Sequence, residues 1–263
     1  MKAFRVFIDP GHGGRDPGAV GNGMRESDVV LEVSKRFGII LVCAGIEVMY
    51  SRIEDISPAQ RWQAANTWGA DLYVSVHCNG FSLDTANGYE TFFAATKPQD
   101  RKFAECVHSA FIAATGLRDR GVKLDGQSQH SGGLSVLRRS AMPAVLVELA
   151  FITANPNLLD ITVLRDRRPL MAEALASGVF KFFGIQPQKA KEVIEMVYRT
   201  IQEMPEWAQA GMQNLVDMRV LSGRTPDNLD VDENMMRILM VVHRMFDRAG
   251  LLPAIAASMP APQ

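Results

Sequence analysis

The stretch from Ile8 to Glu26 constrains this chain more than any other, because it is a long loop wedged between two strongly patterned elements. Phe4 to Ile8 is an apolar run that reads as a buried strand, and a helical pattern begins near Ser27. Six glycines and two prolines stand between them, which excludes regular structure and admits unusual backbone angles. The loop carries one imidazole, His12, and ends on a carboxylate, Glu26. It lacks the Gly-Lys-Ser/Thr ending of a phosphate-binding loop and the GxGxxG spacing of a dinucleotide turn. A sharply folded polar loop holding His and Glu suits a metal ion better.

Beyond the loop the chain alternates strands and helices. Val29, Val30, Val33, Phe37, Ile40 and Leu41 recur at three- and four-residue steps, which predicts an amphipathic helix over 27–43, closed by Gly45. A strand over 46–50 follows, then a helix from Ser57-Pro58 to Trp68 with a preferred capping pair at its start. Strands are expected over 71–78 and 88–94, a helix over 98–115, a polar loop over 121–133 and a short strand over 134–137. Residues 143–149 read as an apolar strand interrupted by Glu148. A short helix from Asn155-Pro156 and a longer one over 163–183 complete this part. The rhythm predicts an α/β fold, a mostly parallel twisted sheet with helices on both faces. Ligands of such sheets sit beyond the C-terminal strand ends, where His12, His77 and Glu148 would converge.

The 263 residues suit one large domain with a small module: a domain over 1–184, a linker over 185–189, an all-α module over 190–252 and an unstructured tail over 253–263. Three helices are expected in the C-terminal part (189–204, 206–219 and 232–250), where nine of the 14 methionines fall and read as gap-filling core. A net charge of −1 gives no electrostatic case for nucleic acid or an anionic membrane, and no apolar run approaches the roughly 20 residues of a membrane-spanning helix. Three scattered cysteines and an N-terminus without a leader's apolar stretch lead us to expect synthesis in a reducing cytoplasm.

His12, Glu26 and His77 form a His₂Glu set of the kind that holds catalytic zinc and leaves a fourth position open. Taken singly, His77 reads rather as a buried strand histidine satisfied by a hydrogen bond. Glu148 stands inside Ala-Val-Leu-Val-Glu-Leu, and a buried carboxylate needs a partner or a task. The task would be general base to a zinc-activated water; the partner would be Arg61 or Arg138. His108 and His243 read as ordinary surface or satisfied histidines, His108 on the polar side of its helix. His130, in the loop Gln127 to Gly133, is a candidate substrate contact. Cys78 reads as core, Cys43 and Cys106 belong to no motif, and Asp9 and Asp16 are candidate supporting or turn residues beside His12.

Residues 4–160 resemble the zinc-dependent N-acetylmuramoyl-L-alanine amidases of the amidase-3 type. The resemblance is carried by Ile8 to Ala19, Arg25-Glu26, Arg61, Ala65-Asn66, Ala70 to Asn79, Gly88 to Phe93, Asp119 to Lys123 and Ser135 to Glu148. It implies the amidase-3, phosphorylase/hydrolase-like fold, His12, Glu26 and His77 as zinc ligands, and Glu148 as catalytic acid/base. It implies hydrolysis of the amide between the lactyl group of N-acetylmuramic acid and L-alanine in peptidoglycan, with Asn79 as a candidate substrate contact. The sequence departs from the family pattern at Ala150 and Cys78, neither a proposed ligand. The helix that some members insert over the site has no counterpart here, which implies an open site. In the C-terminal part, Glu206 to Gln209, Leu215 to Gly223 and Asp227 to Val231 resemble one S-layer-homology-like repeat, which implies wall attachment or a homodimer. A wall hydrolase made in a cytoplasm must be released to its substrate, and a phage endolysin acting in host lysis fits best. The alternatives are a sporulation or mother-cell lysis amidase, a catalytically silent wall-binding protein, and an amidohydrolase of soluble acyl-amides.

Overall fold

The computed structural model describes residues 3–51, 57–129 and 132–185, together with 197–198, 209, 213 and 231–232. The chain divides into two compact units, the first closing at Pro187. That first unit contains a six-stranded sheet in the order β4-β1-β5-β8-β6-β7. Its strands are β1 (Arg5–Pro10), β4 (Glu47–Tyr50), β5 (Leu72–Asn79), β6 (Tyr89–Phe93), β7 (Asp119–Leu124) and β8 (Ala144–Phe151). β4, β1, β5 and β8 run parallel, β6 lies antiparallel to β8, and β7 follows β6 in parallel.

Register sorts the side chains into rows across each face, because alternate residues of a strand point to opposite sides. On one face Phe7, Tyr73 and Ala144 form a row, and Asp9, Ser75, Leu146 and Phe92 form the next. A third row carries His77, Glu148 and Glu90. The first two rows pack under α2 (Pro58–Trp68) and α4 (Ser135–Arg139) through Ala65, Trp62, Val136 and Leu137. The third row lies beyond this apolar cover, so chemistry is placed where the core stops. The opposite face presents Val6, Ile8, Val74, Val76, Val145 and Val147, all fully buried. There α1 (Glu26–Cys43) lies so close that a Cβ on Gly38 would stand 3.2 Å from Ile8 Cδ1. On the same side His108 of α3 (Asp100–Thr115) meets Thr91 of β6 at 3.1 Å. Each such buried aliphatic side chain contributes roughly 1.5–3 kcal/mol of transfer free energy.

Local signals explain most element boundaries. Ser57 and Gln60 form a reciprocal capping box, Pro58 opens α2, and Gly69 ends it at φ 70°. Two helices are found where two were expected, with the boundary shifted. The short one is α5 (Leu159–Asp166), beginning after Asn155-Pro156, and the one expected over 163–183 is α6 (Arg168–Phe183), with Pro169 in its first turn. The loop expected to lack regular structure holds a two-residue hairpin, β2 (Val20–Gly21) and β3 (Met24–Arg25). Asn22 and Gly23 at its tip have φ 51° and 75°, the mirror-image turn that matches strand twist. Residues 119–124, four of the six expected to be loop, form edge strand β7. Where a strand was expected over 134–137, residues 135–139 form the short helix α4. A four-residue apolar run does not distinguish the two states by periodicity.

Within the span read as the first C-terminal helix, Val197–Tyr198 instead pair antiparallel with Val231–Asp232. The remainder of the expected all-α module and the tail lie outside the described residues. No helix among the described residues is long and apolar enough to cross a membrane.

α6 packs on α3 through Gly178, whose added Cβ would stand 2.5 Å from Val107 Cα. Gly178→Ala is therefore expected to force the helices apart and cost about 1–3 kcal/mol, read as a lower urea midpoint with unchanged slope. An unchanged midpoint would show that α6 can shift off α3 without penalty.

Candidate metal and catalytic centre

His12, Glu26 and His77 arrive from three separate segments, and their ligand atoms all lie within 4.8 Å of one another. His12 follows β1 at φ 57°, a left-handed conformation that a residue with a side chain adopts only when held there. Three contacts hold it. Arg61 Nη2 donates to the His12 carbonyl at 2.9 Å, Gly13 and Asp16 exchange backbone hydrogen bonds, and Asp16 Oδ2 meets His12 Nδ1 at 2.8 Å. Pairing one ring nitrogen to a carboxylate leaves the other, Nε2, to face Glu26 at 3.2 Å.

Glu26 opens α1 directly after the Asn-Gly hairpin, so the hairpin sets its position. The Ala19 N–H donates to its Oε2 at 2.8 Å and the Cys78 N–H to its Oε1 at 2.9 Å. His77, near the end of β5, places Nδ1 3.0 Å from the same Oε1. Burial opposes the charge on Glu26, yet the hydrogen bonds from His12 and His77 overcome it and hold the carboxyl far below the usual range. Reciprocally, the Glu26 hydrogen bond raises His12 to about 9.

These residues fit a divalent ion. Two imidazoles and one carboxylate are the donor set of a catalytic zinc site. Glycines make the convergence sterically accessible: a Cβ on Gly18 would stand 2.6 Å from Glu26 Oε2, and one on Gly11 2.3 Å from His77 Cε1. Beside this triad, Glu148 Oε2 is shut off from solvent and has no hydrogen-bond partner. Burial, then the charges of Glu26 and Glu90, push the Glu148 carboxyl well above its ordinary range. Neither arginine weighed as its partner pairs with it. Arg61 Nη1 donates to Asp9 at 2.7 Å, and Arg138 Nε donates to Asp125 at 2.5 Å.

The structure adds Glu90 to the centre. Its Oε1 accepts from Asn79 Nδ2 at 2.6 Å, and its Oε2 from Arg120 Nε at 2.9 Å and Lys123 Nζ at 2.5 Å. Burial pushes Glu90 up, and these donors bring it below the usual range. A carboxylate inside the buried strand Tyr89–Phe93 carries the same signal as Glu148, but reading the sheet as parallel sends it to the wrong edge. Asn79 is buried, with Nδ2 on Glu90 and Oδ1 facing Gln129 at 3.4 Å, and it lines the smaller of two clefts. His130 lies outside the described residues. His108 is not on a polar surface: it is buried, with Thr91 on one nitrogen and Asp119 on the other at 2.8 Å. Cys43, Cys78 and Cys106 are all buried, and burial pushes the Cys78 thiol up.

The clefts, of ≈ 580 Å³ and ≈ 200 Å³, share His12, His77, Leu134 and Glu148. The larger runs between Ser57–Arg61 and Gly133–Val136; the smaller is bounded by Ala19, Gly80, Ser128 and Gln129. The centre thus sits where the two clefts meet.

Comparison with known proteins agrees with this geometry. The chain is 35% identical over 184 residues to the N-acetylmuramoyl-L-alanine amidase LytC of Bacillus subtilis, covering 68% of this chain and 35% of that protein. It is 37% identical over 153 residues to the sporulation-specific N-acetylmuramoyl-L-alanine amidase of the same organism, covering 56% of each. With the endolysin of Bacillus phage SPP1 it shares 36% over 154 residues, 56% of this chain and 54% of that protein. The chain thus spans about a third to just over half of these relatives. Among solved structures, an N-acetylmuramoyl-L-alanine amidase from Clostridium difficile 630 superposes with a TM-score of 0.62 at 31% identity, over 70% of this chain and 98% of that one. Residues 6–181, which include all of the sheet but Arg5 and every residue of the centre, match the Amidase_3 model, and the chain belongs to this family of N-acetylmuramoyl-L-alanine amidases.

Proposed function

We propose that this chain hydrolyses the amide joining the lactyl carbonyl of N-acetylmuramic acid to L-alanine in peptidoglycan, with zinc held by His12, Glu26 and His77. The observation that carries the reading is Glu148. One of its carboxyl oxygens, Oε2, is shut off from solvent without a hydrogen-bond partner, and the residue pairs directly with His77 across β5 and β8. A zinc ion would supply Lewis-acid polarisation of the scissile carbonyl and the attacking water, and charge opposite the developing oxyanion. Glu148 accepts the proton of the attacking water as its oxygen bonds to the carbonyl carbon. It returns that proton to the alanine nitrogen as the C–N bond breaks. Ionised Glu90, balanced by Arg120 and Lys123, stays out of the proton traffic and keeps a fixed charge beside Glu148. The wall is reached after release from the cell that makes the enzyme, in a lytic role like that named for the phage relative.

Glu148→Gln keeps the shape and removes the base, and is expected to lower kcat by about 10²–10⁴-fold while zinc still binds. The check is release of new L-alanine amino groups from purified sacculi, with bound zinc measured on the same samples. Lysis without new alanine termini would place the cut elsewhere in the wall, and sacculi bound but never cleaved would mark a binding protein.

Chelation is expected to abolish wild-type activity, and zinc to restore it. His77→Ala should fail to recover at equal zinc because one of its three donors is gone. Activity that survives exhaustive chelation would sink the metal assignment.

Without metal, His12 has a folded value of about 9 against 6.5 for the free side chain. Its contribution to stability is therefore complete below about pH 6.5 and lost as pH rises towards 9. Denaturation of the chelated protein should show unfolding free energy falling across that window, with His12→Ala removing this part of the slope. A flat wild-type profile would show that the His12–Glu26 pair does not hold the proton.

A further inference from the structure

The three most exposed large apolar side chains among the described residues are Leu83 (62%), Val20 (58%) and Phe81 (47%). They share one neighbourhood. Val20 is in the hairpin that leads to Glu26, and Phe81 and Leu83 are in the loop that leaves β5 after Asn79. The two segments meet at the wall of the smaller cleft, where a Cβ on Gly80 would stand 2.8 Å from Ala19 Cβ. Both are fastened to the segment after β8. Phe81 N–H donates to Thr153 Oγ1 and the Thr153 hydroxyl donates back to the Phe81 carbonyl, both at 2.9 Å. The Asn22 amide donates to the carbonyls of Ile152 and Ala154, each at 2.9 Å. Scattered exposed apolar residues are ordinary. Grouped on a fixed backbone at the rim of a site, they make a preorganised contact surface.

We propose that this rim is the platform for the glycan strand of peptidoglycan, with the Phe81 ring against the C–H face of a sugar; this rests on the amidase reading above. The chemistry of the rim selects that occupant. From Val20 to Arg25 and from Gly80 to Gly88 the only ionisable side chains are Asp84 and Arg25, and Arg25 is paired with Asp28. A pyranose ring offers an apolar C–H face, and in the substrate the lactyl carboxyl is consumed in the scissile amide, so the strand carries no charge there. An anionic bilayer would call for cations, and the charged ends of a stem peptide for ionic partners. The rim adjoins the cleft that reaches Glu148, so a strand lying on it hangs its lactyl amide over the centre.

The test uses the full chain with Phe81→Ser/Leu83→Ser, Phe81→Tyr, and Ile39→Ser as an exposed control on α1. Two substrates are compared by the appearance of new L-alanine amino termini: peptide-bearing glycan strands, and a soluble muramoyl-peptide with one sugar. The double variant should raise KM for the strands about tenfold with kcat kept, and leave the one-sugar substrate unchanged. Phe81→Tyr should retain wild-type values. A tetrasaccharide stripped of peptide should inhibit wild type and lose about tenfold in affinity against the double variant. Equal loss on both substrates, a deficit that follows peptide length, or wild-type KM on the strands overturns the platform. So does a fall in sedimentation coefficient with the double variant, which would assign the patch to a second copy. Failure of wild type to generate new L-alanine amino termini from either substrate overturns the amidase reading itself. Direct binding of the stripped tetrasaccharide still decides the rim in that case, equal affinity of wild type and double variant counting against it.

Discussion

A buried ion pair underlies the site. Arg61 reaches from α2 to donate to Asp9, to the Pro10 carbonyl and to the His12 carbonyl. Asp9 in turn accepts from the Tyr73 hydroxyl at 2.6 Å and Ser75 Oγ at 2.7 Å. Both charges are almost wholly buried, and such a pair is tolerated only when its remaining lone pairs and protons are satisfied. Here they are satisfied by the backbone that turns out of β1, so the desolvated charge fixes the loop. Without that clamp the left-handed backbone at His12 would relax, and a ligand would leave the triad.

Charge bookkeeping across the sheet edge follows the same logic. Four carboxylates, Asp9, Glu26, Glu90 and Glu148, crowd one face near the C-terminal end of β5. Arginine answers Asp9, two histidines answer Glu26, and Arg120 with Lys123 answers Glu90. Only Glu148 is left without a hydrogen bond to one of its oxygens, and its carboxyl is pushed up by burial and by its neighbours' charges. A single unsatisfied acid in an otherwise balanced cluster is the arrangement expected of a proton carrier. Its neighbours are each neutralised by a partner, which leaves proton transfer to that one group.

Much of this was readable from residue order. Hydrophobic periodicity and capping residues gave the strand-and-helix rhythm, and the positions of His12, His77 and Glu148 at strand ends pointed to one edge. Readings failed where local signal is weak or tertiary. The Asn22-Gly23 turn was hidden by the surrounding glycines, although Asn-Gly is a strong hairpin signal. α4 and β7 are short, half-exposed pieces whose state is set by what they pack against. His108 was assigned to a polar face because helical phase counts neighbours on its own helix, whereas Thr91 and Asp119 belong to the sheet.

The sequence by itself determined the α/β class, the candidate ligand types and the oddity of a carboxylate in an apolar strand, because these follow from residue chemistry, periodicity and the cost of burying charge. The tertiary structure alone decided which cation answers which carboxylate, and that β6 runs against β8. Strand direction is not encoded in a strand's own residues. It depends on how the connecting chain crosses the sheet, and here that crossing brings Glu90, Arg120 and Lys123 to the edge where Glu148 waits. Pairings separated by tens of residues are settled only when the core is packed, since each buried charge must then find the partner geometry leaves within reach.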